Sequence, residues 1–282
     1  MPIVNAPTAV GIFDKVPDEV YHKDTSSLSS SGARLLLPPS TPAHFLWAQT
    51  HPVYKRQYDI GHAAHRFILG AGAEVVPVDA PDWRKADAKA KRERIRALGQ
   101  VPLLMHEWHK AHAMAESVKA HPLGAKLLEA GKPEQSIYWR DPVSGARLRA
   151  RPDWITAIDD RPVFVDVKTS DTANPVAFAK SVANYGYHVQ APWSQAGGET
   201  VFGERPLFLF LGVETEPPYL VSVHELDAEA VEIGQDLMRE AITIFAECAA
   251  ADEWPAYGTK VHVARLPKWA VYEHENRMEL QR

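Results

Sequence analysis

The stretch RPVFVDVKTS, residues 161–170, constrains the fold more than any other part of the chain. Val163, Phe164, Val165 and Val167 suit a sheet interior, because β-branched and aromatic side chains pack well on a pleated surface. Asp166 and Lys168 interrupt that apolar run. Side chains two apart on a strand share a face, so a carboxylate and an ammonium stand together at the end of a core strand. An ion pair at a strand end is one reading, and such pairs contribute little when exposed. A chemical site is the other.

The residues before it bear on the choice. EQSIYWRD (134–141) and ARLRARPDWITAID (146–159) flank PVSG, a hairpin signal, and DDR turns the chain tightly into 161–170. This reading places Asp153 on one strand and Asp166 on its antiparallel neighbour, and adjacent strands lie about 4.8 Å apart. Two carboxylates at ~4 Å repel by roughly 4 kcal/mol at an effective dielectric of about 20. A cation offsets that repulsion, and hard carboxylate oxygens suit Mg²⁺ or Mn²⁺. Lys168 then faces the same site, where it can orient a water or stabilise charge on a phosphate.

The rest of the chain sets bounds. At 282 residues, 45% hydrophobic and 24% charged, it has the makeup of a globular protein with a sizeable core. One domain is expected over 1–282, in three parts: a mostly helical 1–132, a sheet region 133–226, and a long helix with a wrapping tail over 227–282. No apolar run approaches a membrane span of roughly 20 residues, and the first residues lack a secretory layout. The single cysteine, Cys248, excludes an internal disulfide framework. A cytoplasmic setting is expected. The net charge of −5 leaves room for a local basic patch. Lys85, Lys89, Arg92 and Arg96 follow helical spacing and line one face, either as a DNA-facing stripe or as a solvated surface.

The sequence also carries a family likeness. Pro152-Asp153 followed by Asp166-Val167-Lys168 resembles the PD-(D/E)xK nuclease signature, and GHAAH (61–65) resembles the histidine motif of RecB-like nucleases. With GIFDKVPDEVYH, YGYHVQAP, DEWPAY and LPKWA added, nearly the whole chain is similar to the C-terminal nuclease domain of RecE-type exonuclease VIII. The resemblance implies an α/β (α+β) fold, with a central mixed sheet flanked by helices and a helical N-terminal region supplying His65. It implies His65, Asp153, Asp166 and the Val167 carbonyl as ligands for one or two Mg²⁺ ions, with Mn²⁺ as a substitute. Lys168 would serve the attacking water, and Gln190 would lie near the scissile phosphate. Arg149 and Arg151 would grip phosphate, Ser29 and Ser31 would hold an end phosphate, and Glu134 would support the ligands. It further implies 5′-to-3′ digestion of linear double-stranded DNA, a ring-shaped homo-oligomer, and a single-strand annealing protein as partner. The alternatives are an endonuclease or a nuclease of other polarity, a non-catalytic DNA-binding protein of this fold, and a metal-independent structural protein.

Two departures stand out. ILGAG replaces the Leu-Glu-Pro that often follows the histidine helix, and Ser194 stands where relatives carry an aromatic hydroxyl. HEWHKAH (106–112) lacks the H-E-x-x-H spacing of a zinc helix, so His106, His109 and His112 are read as exposed or packing residues. Trp254 and Trp269 are read as clamps holding the tail on the core.

Overall fold

A computed structural model describes residues 5–51 and 57–280. It is a mixed α+β architecture, as the sequence implies. Its centre is a five-stranded sheet ordered Val221–His224, Leu207–Glu214, Arg161–Ser170, Trp154–Ile158, Lys132–Pro133. Leu207–Glu214 runs parallel to Arg161–Ser170, and the other pairings are antiparallel. Asp159 and Asp160 both have positive φ (50° and 63°), the conformation that a two-residue hairpin with matching strand twist requires.

Alternation along Arg161–Ser170 sorts its side chains into two cores. Val163, Val165 and Val167 pack with Leu209, Leu211 and Val213 beneath the helices Gln57–Leu69 and Met105–Ala120. Phe164 packs with Phe208, Phe210 and Trp193 beneath the helices Tyr187–Phe202 and Ala228–Ala251. The strand is thus buried on both faces, which explains its near-continuous apolar run. Asp166 and Lys168 share the Phe164 face. The two helices on that face touch backbone to backbone at Gly234, where a Cβ would lie 1.6 Å from the His188 carbonyl oxygen.

Two expectations about elements are corrected, and one short strand pair is added to a first part that is mostly helical as expected. Residues 146–159 do not form one strand. Arg147–Ala150 belongs to a four-stranded sheet with Gly11–Phe13, Ser136–Arg140 and Leu28–Ser29, whereas Trp154–Ile158 belongs to the central sheet. Pro152, which has no N–H to give a ladder, sits in the break. The N-terminal part also contains a parallel pair of short strands, Val75–Val78 and Val101–Leu104; each is four residues long, too short for its period to show. Finally, the tail does not wrap the surface. Trp254 stacks on Phe45 at 5.3 Å between ring centres, but the helix Lys268–Glu279 buries no residue and Trp269 is 68% exposed.

Asp141 ties the hairpin to the long helix. It is buried, accepts from the Ser144 amide and hydroxyl at 2.7 Å each, and pairs with Arg239 at 2.7 Å. Burial raises its pKa, but the bonds from Arg239 and Ser144 outweigh this and hold it at about 2. A depressed carboxylate stabilises the fold above its unfolded pKa and loses that contribution as pH falls through the folded value. Asp141→Asn should therefore cost about 1–2 kcal/mol at neutral pH, after discounting for the part-exposed Arg239. The gap between variant and parent in chemical denaturation should close as pH falls from about 4 toward 2; a gap independent of pH would contradict the assignment.

Candidate active site

The break at Pro152 makes the site. Trp154 pairs with Val165, so the same register carried one residue further sets Asp153 opposite Asp166. The strand has ended there, and the Val167 amide has lost its ladder partner. Asp153 Oδ2 replaces it, accepting from Val167 N–H at 2.7 Å. In an extended residue the N–H and C=O point to the same edge, so the Val167 carbonyl also faces this gap. His65 reaches the gap from the helix packed on the opposite side of the sheet, with Nδ1 3.4 Å from Asp153 Oδ2.

Asp166 and Lys168 meet as an ion pair. Gln190, on the helix Tyr187–Phe202, bridges them: its Nε2 donates to Asp166 Oδ1 at 2.5 Å and its Oε1 accepts from Lys168 Nζ at 3.0 Å. The Tyr187 ring lies 4.6 Å from the same ammonium, with Phe210 at 5.9 Å. Tyr187 was not singled out from the sequence. Its spacing three residues before Gln190, on one helix face, was the available signal.

The electrostatics follow from crowding. Burial, and then the neighbouring Asp166, raise the Asp153 pKa well above the usual carboxylate range. Burial works against the Lys168 ammonium, but Asp166 and Asp153 outweigh it and raise the pKa. Burial lowers the His65 pKa, favouring the neutral imidazole that can donate a lone pair. Glu134 backs this group: it lines the same cavity of about 510 Å³ as His65 and Asp153, and burial raises its pKa.

The expected ligands are neighbours rather than a closed cage. Among the described residues no three His, Cys, Asp or Glu side chains converge tightly enough to hold an ion. Asp153 is turned to the Val167 amide, and Asp166 to Lys168 and Gln190. The donor set nevertheless fits a divalent ion: one neutral imidazole, two carboxylates and a carbonyl edge. Asp166 Oδ2 is buried and already meets one cation, the Lys168 ammonium.

Other expected residues have different occupations. Arg149 is buried and donates to the Asp24 carbonyl at 2.8 Å, to the Ser27 carbonyl, and to the Ser27 hydroxyl at 2.9 Å. Arg151 donates to Ser136, Asp18 and the Val16 carbonyl at 2.6 to 2.9 Å, with its guanidinium 4.0 Å from the Tyr21 ring centre. Both arginines clamp residues 16–27 to the sheet, and both also line the cavity that holds Ser29, Ser31 and Gln190. Ser29 caps the helix Ser30–Leu36 by accepting from Gly32 N–H at 3.2 Å, and its hydroxyl meets Ser31 at 3.1 Å. Ser29, Ser31 and Gln190 line one cavity of about 220 Å³. The basic stripe is only half free. Lys85 and Lys89 are exposed, whereas Arg92 pairs with Glu93 at 2.9 Å and Arg96 with Asp59 at 3.0 Å. His112 stacks on Phe67 at 3.8 Å, a packing role as expected, and His106 and His109 are exposed.

A strand-borne carboxylate–lysine pair, a second carboxylate at the adjoining strand break and a histidine from a flanking helix define a PD-(D/E)xK-type fold and constellation. Residues 42–267 match the family described as a PDDEXK-like domain of unknown function (DUF3799), and the chain belongs to that family. The nuclease-superfamily likeness read from the sequence stands at the level of family and fold. No curated protein matches the chain. Among solved structures, the fold is similar to that of a "Putative exonuclease" from Eubacterium rectale, with a TM-score of 0.60 at 12% identity over 91% of this chain and 96% of that one. A phage-related exonuclease from Haemophilus somnus aligns at a TM-score of 0.35 and 10% identity, over 82% of this chain and 99% of that one. The alkaline exonuclease of Laribacter hongkongensis aligns at 0.28 and 11%, over 70% and 96%. Scores as low as these last two establish no shared fold.

Proposed function

We propose that the protein hydrolyses DNA phosphodiesters with a divalent metal, Mg²⁺ in the cell, acting 5′ to 3′ from the ends of linear duplexes. The observation that carries the reading is the meeting of His65, Asp153, Asp166 and Lys168 at one strand break. A binding protein has no use for a buried carboxylate that burial and the neighbouring Asp166 disfavour as an anion. In this reading His65, Asp153, Asp166 and the Val167 carbonyl hold the ion, which supplies Lewis-acid polarisation of the phosphate and a more acidic water. Asp166 and Gln190 fix the Lys168 ammonium, leaving a rigid donor for the water or for phosphate charge. Strand and helix, rather than loops, position all of these groups, which favours precise placement. Ser29, Ser31 and Gln190 line the neighbouring cavity, where an end phosphate would be held.

The finer assignments rest on the sequence likeness and the fold. They are one nuclease domain over 1–282, a cytoplasmic setting, a ring-shaped homo-oligomer, and a single-strand annealing protein that takes over the digested product. Among the described residues no helix is long and apolar enough to cross a membrane. The test is a digestion assay with Mg²⁺ on matched linear and covalently closed duplexes. Linear DNA carrying a labelled 5′ end should release mononucleotide label, and closed circles should survive. Cleavage of closed circles would replace the exonuclease reading with an endonuclease one, and release of 3′ label first would reverse the polarity.

A further inference from the structure

The corner between the helices Pro175–Tyr185 and Tyr187–Phe202 carries an aromatic ring that the hydrolysis does not use. Tyr187, which lies over the Lys168 ammonium, stacks on Phe210 at 5.3 Å between ring centres and 24° between planes. It also stacks on Tyr185, at 5.7 Å and 29°. Exposure rises along this run: Phe210 is fully buried, Tyr187 is half-buried and Tyr185 is 59% exposed. A single exposed tyrosine is ordinary on a protein surface. One that ends a stack beginning at the ammonium of the candidate site is not placed at random.

The ring stands on a fixed corner. Gly186 joins the two helices at φ 66° and ψ 35°, the left-handed region that glycine enters without strain. Space demands glycine as well, since a Cβ there would lie 2.4 Å from Arg34 Cδ. Arg34, on the helix Ser30–Leu36, donates to the Tyr185 carbonyl and so satisfies a group that the helix end leaves open. Tyrosine on such a support offers a large, rigid contact surface at low entropic cost. The approach also suits a phosphate chain. No acidic residue occurs over 172–198, although the protein carries a net charge of −5, and Arg34 and Lys180 are exposed.

We infer that Tyr185 is a stacking platform for one unpaired base of the strand under hydrolysis, beside the nucleotide whose phosphate meets Lys168. The inference rests on the DNA reading given above. Inside a duplex the neighbouring bases cover both faces of each base, so a ring can take one only from a frayed end or a single strand. Every base has a π-face, and stacking is therefore tolerant of base identity. Tyr185 selects an unpaired nucleotide rather than a sequence, and holds the strand being cut apart from its complement.

The test is binding of the full chain to a short, fluorescent, 5′-phosphorylated single strand, by anisotropy with chelator present so that nothing is cut. Tyr185→Ala should weaken binding roughly 5- to 100-fold, the range of one base–aromatic stack. Tyr185→Phe and Tyr185→Trp should bind like the parent, because the ring and not the hydroxyl makes the contact. Strands with one abasic nucleotide, moved along the sequence, separate stacking from a structural role. For the parent one position should cost about as much as losing the ring, and for Tyr185→Ala that position should cost nothing more. Equal affinity of parent and Tyr185→Ala, loss of binding in Tyr185→Phe, or additive losses from missing ring and missing base would overturn the inference. Any of these in a parent that binds and digests DNA leaves the hydrolytic reading standing, whereas a parent that binds no DNA overturns both.

Discussion

Asp153→Asn should give a protein that melts higher and no longer digests DNA. The Asp153 carboxyl is disfavoured as an anion, first by burial and then by Asp166. An amide removes that cost while its oxygen can still accept from Val167 N–H, the bond that closes the strand break at 2.7 Å. A carboxylate whose pKa is raised in the folded state loses stability as pH rises from the unfolded value, about 4, through the folded one. The parent should therefore fall behind the variant as pH increases through that window, measured with chelator present. At neutral pH the melting temperature should rise by roughly 2–4 °C, the response of a chain near this size to about 1 kcal/mol. Activity with Mg²⁺ should drop by at least about 100-fold, since the same repulsion is what the bound ion would relieve. A variant that is less stable, or one that keeps its activity, would refute the role given to Asp153.

The second large effect concerns Lys168. Lys168→Met leaves the Asp166 carboxylate, only 3% exposed, with Gln190 but no countercharge. Removing one member of a buried pair costs about 3–5 kcal/mol, whereas replacing both by residues of similar volume is often neutral. Lys168→Met should therefore be strongly destabilised, and Asp166→Asn/Lys168→Met should recover most of that loss. Neither protein should digest DNA. The measurement is a double-mutant cycle by urea denaturation, read beside initial digestion rates. Additive costs would mean that the two side chains do not act as a pair, and retained turnover in either protein would remove Lys168 from the chemistry.

These residues differ in how far the sequence alone reveals them. The central strand was legible because its apolar run, its two charged interruptions and the Asp159–Asp160 turn are all local. The helix bearing Gln190 was legible for the same reason. Register then brought Asp153 opposite Asp166, although the strand break that frees Asp153 was hidden. Pro152 marked the break, but only the pairing of 147–150 with a different sheet shows that the chain changes layer there. The partners of Arg149 were hidden because Asp24 and Ser27 lie more than a hundred residues away: a guanidinium beside this motif looks alike in sequence whether it meets phosphate or the Ser27 carbonyl. For Arg92 and Arg96 the sequence left two readings open, a DNA-facing stripe and a solvated surface. Helical spacing set them on one face, but which face the core takes depends on Ala88 and Ile95 and on Asp59 of another helix.

The central claim is that His65, Asp153 and Asp166 form one divalent-metal site. Anomalous scattering from crystals of the parent soaked in Mn²⁺ tests it most directly. The expected result is a peak bounded by these three side chains and absent from identically soaked Asp166→Asn crystals. No peak at saturating Mn²⁺, or a peak elsewhere with none between Asp153 and Asp166, would contradict it.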